Sequence, residues 1–123
     1  MSSYSFYNFS GANFRNARFQ FCNFRGCDLS GALFNEAVFE FVVLDDCNLT
    51  GADMRRANFT TTSMERIKVK GANFSAVTVD KCVMDRKILK LVDLEKKGAV
   101  INRANVLKEE GLVQMKIDYV RVG

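Results

Sequence analysis

The tetrapeptide GANF stands at residues 11–14 and again at 71–74, with GALF at 31–34 and GADM at 51–54, so one motif returns every 20 residues. A stricter period lies beneath it. Every fifth residue from Tyr4 to Met84 is large and apolar (Tyr4, Phe9, Phe14, Phe19, Phe24, Leu29 and onward), 17 units without exception. Two places before each, from the third unit on, runs a mostly small series that includes Ala12, Ala17, Cys22, Cys27, Ala32 and Ala37. The remaining places are mainly Asn, Asp, Ser, Thr, Arg, Glu or Gly.

A period of five suits neither the 3.6 of a helix nor the alternation of a long strand. The chain must turn after each unit. If two residues per unit point inward, four units close a square coil, and the 20-residue return of Gly11, Gly31, Gly51 and Gly71 marks one corner of successive coils. Glycine tolerates the bend there. Stacked coils would bond as parallel strands about 4.8 Å apart, giving roughly four coils and a rod about 20 Å long. Adding 20 reads the columns: Phe14, Phe34, Met54 and Phe74 stack, as do Phe19, Phe39, Phe59 and Val79.

The units CNFRG, CDLSG, CNLTG, ADMRR, ANFTT and ANFSA resemble the A(D/N)LXX consensus of the pentapeptide-repeat family. The resemblance covers about residues 2–86. It implies an all-β solenoid, a right-handed quadrilateral parallel β-helix of about four coils, with residues 1–84 as the repeat domain. Some units depart from the pattern. Leu33, Val38, Val43 and Val83 occupy the Asn/Asp place, and Phe21 and Phe41 stand at corners where small or polar residues are usual.

After Met84 the register decays, and residues 85–123 are expected to cap the rod. DRKILKLVDLEKKG suits a helix with Asp85 as N-cap and Ile88, Leu89 and Val92 on one face, stopped by Gly98. A second short helix is expected from Asn102 to Glu110. VQMKIDYVRV then alternates as a strand does, with Met115, Ile117 and Tyr119 on one side. A rival reading takes AVINR and ANVLK as two shifted pentapeptides that prolong the rod. A solenoid exposes unpaired edges at both ends. The tail covers one, and at the other Tyr4, Phe6 and Tyr7 either cap their own coil or meet a second chain. A homodimer is expected, with Ile88, Leu89 and Val92 as the alternative contact by family resemblance.

Composition excludes several kinds of chemistry. The 123-residue chain, a single domain by length, has no histidine, which removes the commonest general base and metal ligand. Cys22, Cys27, Cys47 and Cys82 all fall on the inward small track, so they read as core rather than as metal ligands or disulfides. Asp45 and Asp46 are adjacent carboxylates at an outer corner without a nucleophile or base. No enzymatic activity, cofactor or metal is expected. No apolar run approaches the roughly 20 residues of a membrane span, and MSSYSFYNFS lacks the features of a signal peptide, so a cytoplasmic location is expected.

The family resemblance also raises mimicry of duplex DNA, by which a rod modulates or protects DNA gyrase or topoisomerase IV. Mimicry needs a strongly negative surface. Residues 1–84 instead hold nine Lys and Arg against eight Asp and Glu. The remaining nine basic and six acidic residues lie in the tail without a basic run, so direct nucleic-acid binding is not expected either. The informative irregularity is apolar: Phe21 and Phe41 should stack at one corner, with Val38 and Val43 beside Phe41 and Leu33 farther round the coil. Such a patch marks a contact surface. The chain therefore reads as a non-enzymatic protein-binding module for an unknown protein partner, with the topoisomerase modulator as the alternative.

Overall fold

A computed structural model describes residues 2–83, together with the backbone alone of 84–85, 99–101, 105–109, 112–117 and 120–122. Its strands are short: β1 Ser2–Ser3, β2 Arg18–Gln20, β3 Cys22–Asn23, β4 Val38–Glu40, β5 Asn58–Thr60, β6 Ser63–Met64, β7 Thr78–Asp80 and β8 Cys82–Asp85. In the tail follow β9 Ala99–Ile101, β10 Asn105–Glu109, β11 Leu112–Ile117 and β12 Val120–Val122. The repeat strands pair in parallel at an offset of 20: Arg18 with Val38, Val38 with Asn58, and Asn58 with Thr78. Single bridges carry the same offset round the other sides, as in Asn8 to Asp28 to Asn48 to Lys68. The chain is thus a parallel β-solenoid of about four coils.

Each unit bends at one residue with positive φ. These residues recur every fifth place from Phe6 to Lys81, and glycine fills five of the 16. The glycine column is therefore one of four corners, not a special turn, and Phe, Asp, Glu, Arg and Thr accept the left-handed conformation at the others. At most corners the bend is closed by a turn bond from the next small residue, such as Ala32 N to Leu29 O at 3.1 Å and Ala52 N to Leu49 O at 3.0 Å. A turn with its second central residue at positive φ has this geometry.

The Asn/Asp place gains its physical reason from the same turns. The Oδ1 of Asn8, Asn23, Asp28, Asn48 and Asn73 accepts a bond from the backbone N–H two residues on, at 2.9–3.0 Å. Asx turns of this kind hold the bend with a bond local to the unit. Between the corners, the large and small series face a dry interior. Phe34, Phe39, Phe59, Phe74, Leu29, Leu44, Leu49, Met54 and Met64 are fully buried. The predicted columns exist as ring stacks: Phe14 on Phe34 at 5.2 Å, Phe19 on Phe39 at 5.1 Å and Phe39 on Phe59 at 4.8 Å.

The tail corrects part of the sequence reading. The second helix expected over 102–110 is not formed at Asn105–Glu109, which is strand β10, antiparallel to β11. Asp85, expected as an N-cap, ends β8 and is paired with Gln114. β11 lies antiparallel on β8, and β12 on β7 and β9, so the tail strands extend the sheets of the last coil instead of repeating its parallel 20-residue offset. That pairing also departs from the reading of AVINR and ANVLK as further coils. The physical reason is tertiary. The open edge of the last coil offers unpaired N–H and C=O groups, and satisfying them outweighs a weak local preference for helix. The helix expected within 86–98 lies outside the described residues.

Candidate interaction surface

One corner differs from the rest. It is built by Phe21, Phe41, Thr61 and Lys81, each at positive φ between 47° and 54°. The bend there lies between short strands and lacks the closing turn bond. Inward side chains do part of its work: the Cys22 thiol donates to Gln20 O at 3.3 Å, the Thr62 hydroxyl to Thr60 O at 3.0 Å, and the Cys82 thiol to Asp80 O at 3.4 Å.

On the outside of this corner the Phe21 and Phe41 rings stack at 5.0 Å with planes 6° apart, while 54% and 48% of each residue stays exposed. Bulky and β-branched residues are unusual at positive φ. Each costs roughly 1–2 kcal/mol that glycine would avoid. Solvent-exposed rings recover little of that by burial. Val38, on β4, and Val43, at a bridge position beyond the corner, are half-buried and occupy registers between Arg18 and Asn58 and between Asn23 and Ser63. Leu33 sits between Asn13 and Asp53 on another side of the coil, beyond the Glu36 corner. Four of the five predicted contact residues thus share the corner, and Leu33 stands apart.

Charges flank the rings. On one side the Arg18 guanidinium meets Glu40 at 2.6 Å. On the other, Arg25 approaches Asp46 at 3.5 Å and Asp45 at 3.8 Å, and Arg66 binds Asp46 at 2.8 Å. The hydrogen bond from Arg66 holds the Asp46 carboxyl below the usual carboxylate range. Asp45 has a role that its sequence position did not disclose. It is only 7% exposed, and its Oδ1 accepts from the Ser63 hydroxyl at 2.6 Å and from Glu65 N at 3.0 Å. It thereby supplies from the neighbouring coil the bond that an Asn or Asp at 63 would have made. The signal was present in the column Asn23, Val43, Ser63, which loses its Asx residue after the first member.

The other predicted contacts lie at the N-terminal end. Tyr4, Phe6 and Tyr7 are exposed, and Tyr4 stacks on Phe24 at 5.4 Å. The Phe6 ring covers Gly26 so closely that a Cβ there would come within 2.5 Å of it. Ile88, Leu89 and Val92 lie outside the described residues. All four cysteines are free and buried. Burial pushes the Cys47 and Cys82 thiols up to about 12, so neither supplies a thiolate near neutral pH. Among the described residues no group of three or more acidic, cysteine or histidine side chains is placed to hold a metal, and no helix is long and apolar enough to cross a membrane.

A four-sided parallel solenoid with a left-handed corner in each five-residue unit, and an Asx turn in many of them, defines a class of repeat protein. The signature described as pentapeptide repeats matches in eight copies, over residues 8–31, 22–60 and 37–75. These spans together cover more than half of the chain, and the protein belongs to the pentapeptide-repeat family. No curated protein sequence matches it. Among solved structures it is similar to trypsin-treated QnrB1, a plasmid-mediated fluoroquinolone resistance protein, at 24% identity and a TM-score of 0.51. That match covers 66% of this chain and 42% of QnrB1, so the chain spans less than half of that protein. Rfr23, a pentapeptide repeat protein from the cyanobacterium Cyanothece 51142, matches at 15% identity and a TM-score of 0.50, over 65% of this chain and 82% of Rfr23. At these identities the likeness is one of fold.

Proposed function

We propose that the protein is a non-enzymatic protein-binding module, a rigid β-helical rod that presents the Phe21 and Phe41 corner to a protein partner. The observation that carries this reading is the pairing of exposure with backbone cost: two stacked phenylalanines stand half in solvent at left-handed positions where smaller residues would be more stable. A rod suits the task, because backbone bonds between coils hold outward side chains at fixed spacing with little ordering left for binding. Capture from a cell extract on immobilised wild-type protein and on Phe41→Asp tests it. A partner retained by the wild type and lost from the variant supports the reading. Equal retention by both removes it.

A second reading, a modulator of DNA gyrase or topoisomerase IV, draws on the similarity to QnrB1. The outer charges favour it less, since Arg18, Arg25, Arg55, Arg56 and Arg66 are interleaved with carboxylates in ion pairs instead of leaving a continuous negative face. A gyrase supercoiling assay with and without a quinolone separates the two. A change in supercoiling on adding the protein selects the second reading.

A further inference from the structure

We infer that the Phe21 and Phe41 corner is occupied by the same corner of a second copy of the chain, with the two rods antiparallel. This rests on the protein-binding reading of that corner and names the partner. Phe21 and Phe41 lie one coil apart, and so do the charges beside them. On one side the cation Arg18 is at the level of Phe21 and the anion Glu40 at the level of Phe41, the two joined at 2.6 Å. On the other side Arg25 is at the lower level and Asp45 and Asp46 at the upper, 3.8 Å and 3.5 Å from it. Between these two coils both flanks therefore run from positive to negative in the same direction along the rod, and Arg66 follows on the next coil, 2.8 Å from Asp46.

A two-fold axis perpendicular to the rods, passing midway between the two rings, sets Phe21 of each copy against Phe41 of the other. It keeps each flank beside its own equivalent while inverting the levels. Arg18 of one copy then faces Glu40 of the second, and Arg25 faces Asp46, twice over by symmetry. Parallel rods, related by a two-fold axis along the rods, would exchange the flanks and set Arg18 against Arg25 and Glu40 against Asp46, so the charge pattern selects the antiparallel register. The rings supply the dry centre and the ion pairs the rim, the usual anatomy of a protein interface. A strip this narrow belongs with the weaker interfaces, below about 1,200 Å² in total.

Sedimentation equilibrium from about 10 µM to about 1 mM protein spans the affinity such a contact gives. The wild type is expected to form dimers. Phe41→Asp, at a solvent-exposed ring, should weaken association at least about tenfold while leaving the β-rich circular dichroism intact. Arg18→Glu and Glu40→Arg should each weaken self-association, because each sets like charges across the two-fold axis. An equimolar mixture of the two variants should dimerise again, since in the mixed pair each side chain at position 18 faces one of opposite charge at position 40 of the other copy. A wild type that stays monomeric at the highest concentration overturns the inference, as does an undiminished dimer in Phe41→Asp. A mixture no stronger than its components overturns the antiparallel register. A monomeric wild type that still captures a partner through Phe41 leaves the binding-module reading in place, so the two failures are distinguishable.

Discussion

Truncating Phe39 to alanine probes the stacked core directly. Phe39 has no exposed surface, and its ring lies between Phe19 at 5.1 Å and Phe59 at 4.8 Å, with Phe34 at 5.5 Å. Removing the ring takes away roughly 120 Å² of buried apolar surface, which at about 25 cal/mol per Å² is about 3 kcal/mol. Two lost stacking contacts add about 0.5–1.5 kcal/mol each. The hole cannot close, because the coil separation is set by backbone bonds such as Val38 N to Ala17 O at 2.9 Å and Phe41 N to Thr60 O at 3.1 Å. A cavity that cannot collapse keeps its full cost. The expected loss is therefore about 4–6 kcal/mol, near the whole stability of a marginal domain. Urea unfolding followed by far-ultraviolet circular dichroism measures it, with Phe19→Ala as the internal comparison. Phe19 is only half-buried in the first coil and has a stacked ring on one side alone, so its loss should be smaller. A Phe39→Ala loss under about 2 kcal/mol, or one equal to that of Phe19→Ala, would refute the stacked-column argument.

Two further outcomes follow from the corners. Asp53 accepts hydrogen bonds from the Arg55 side chain, which lower its carboxyl to about 2. Because the folded value lies below the unfolded one, the stabilisation is present above roughly pH 4 and is lost as pH falls through about 2. Asp53→Asn can keep the turn bond to Arg55 N but loses the charge pair, so its melting temperature should fall below that of the wild type at pH 6 and converge with it near pH 2; a pH-independent gap would contradict the assignment. Ala76 has φ of 60°, so Ala76→Gly should raise stability by up to about 1 kcal/mol, the reverse of the usual sign; a loss in urea titration would show that the corner conformation is not strained.

Much of the fold could be read from residue order because a solenoid uses local rules repeatedly. The five-residue period names the inward side chains, the 20-residue return names their vertical neighbours, and the stacks of Phe14 on Phe34 and Phe19 on Phe39 follow from addition. The thiols were likewise placed by register, and all four are buried. Phe21 and Phe41 were legible as a stacked pair for the same reason. Gly11, Gly31, Gly51 and Gly71 do form one corner column, as their 20-residue return implies, and at the other corners exposed bends let charged and aromatic residues take positive φ.

What the order of residues determined by itself was the period, and with it the coil, the core and the corner that carries exposed rings, since each of these depends on neighbours five or 20 places away. Only the folded chain decided where pairing crosses between otherwise unrelated segments. Asp45 replaces a missing Asx bond on the next coil, and Asn105–Glu109 pairs as a strand in the sheet that meets β8. In both cases an unpaired polar backbone group left by one part of the molecule is satisfied by another, and no local preference records where such a need will arise.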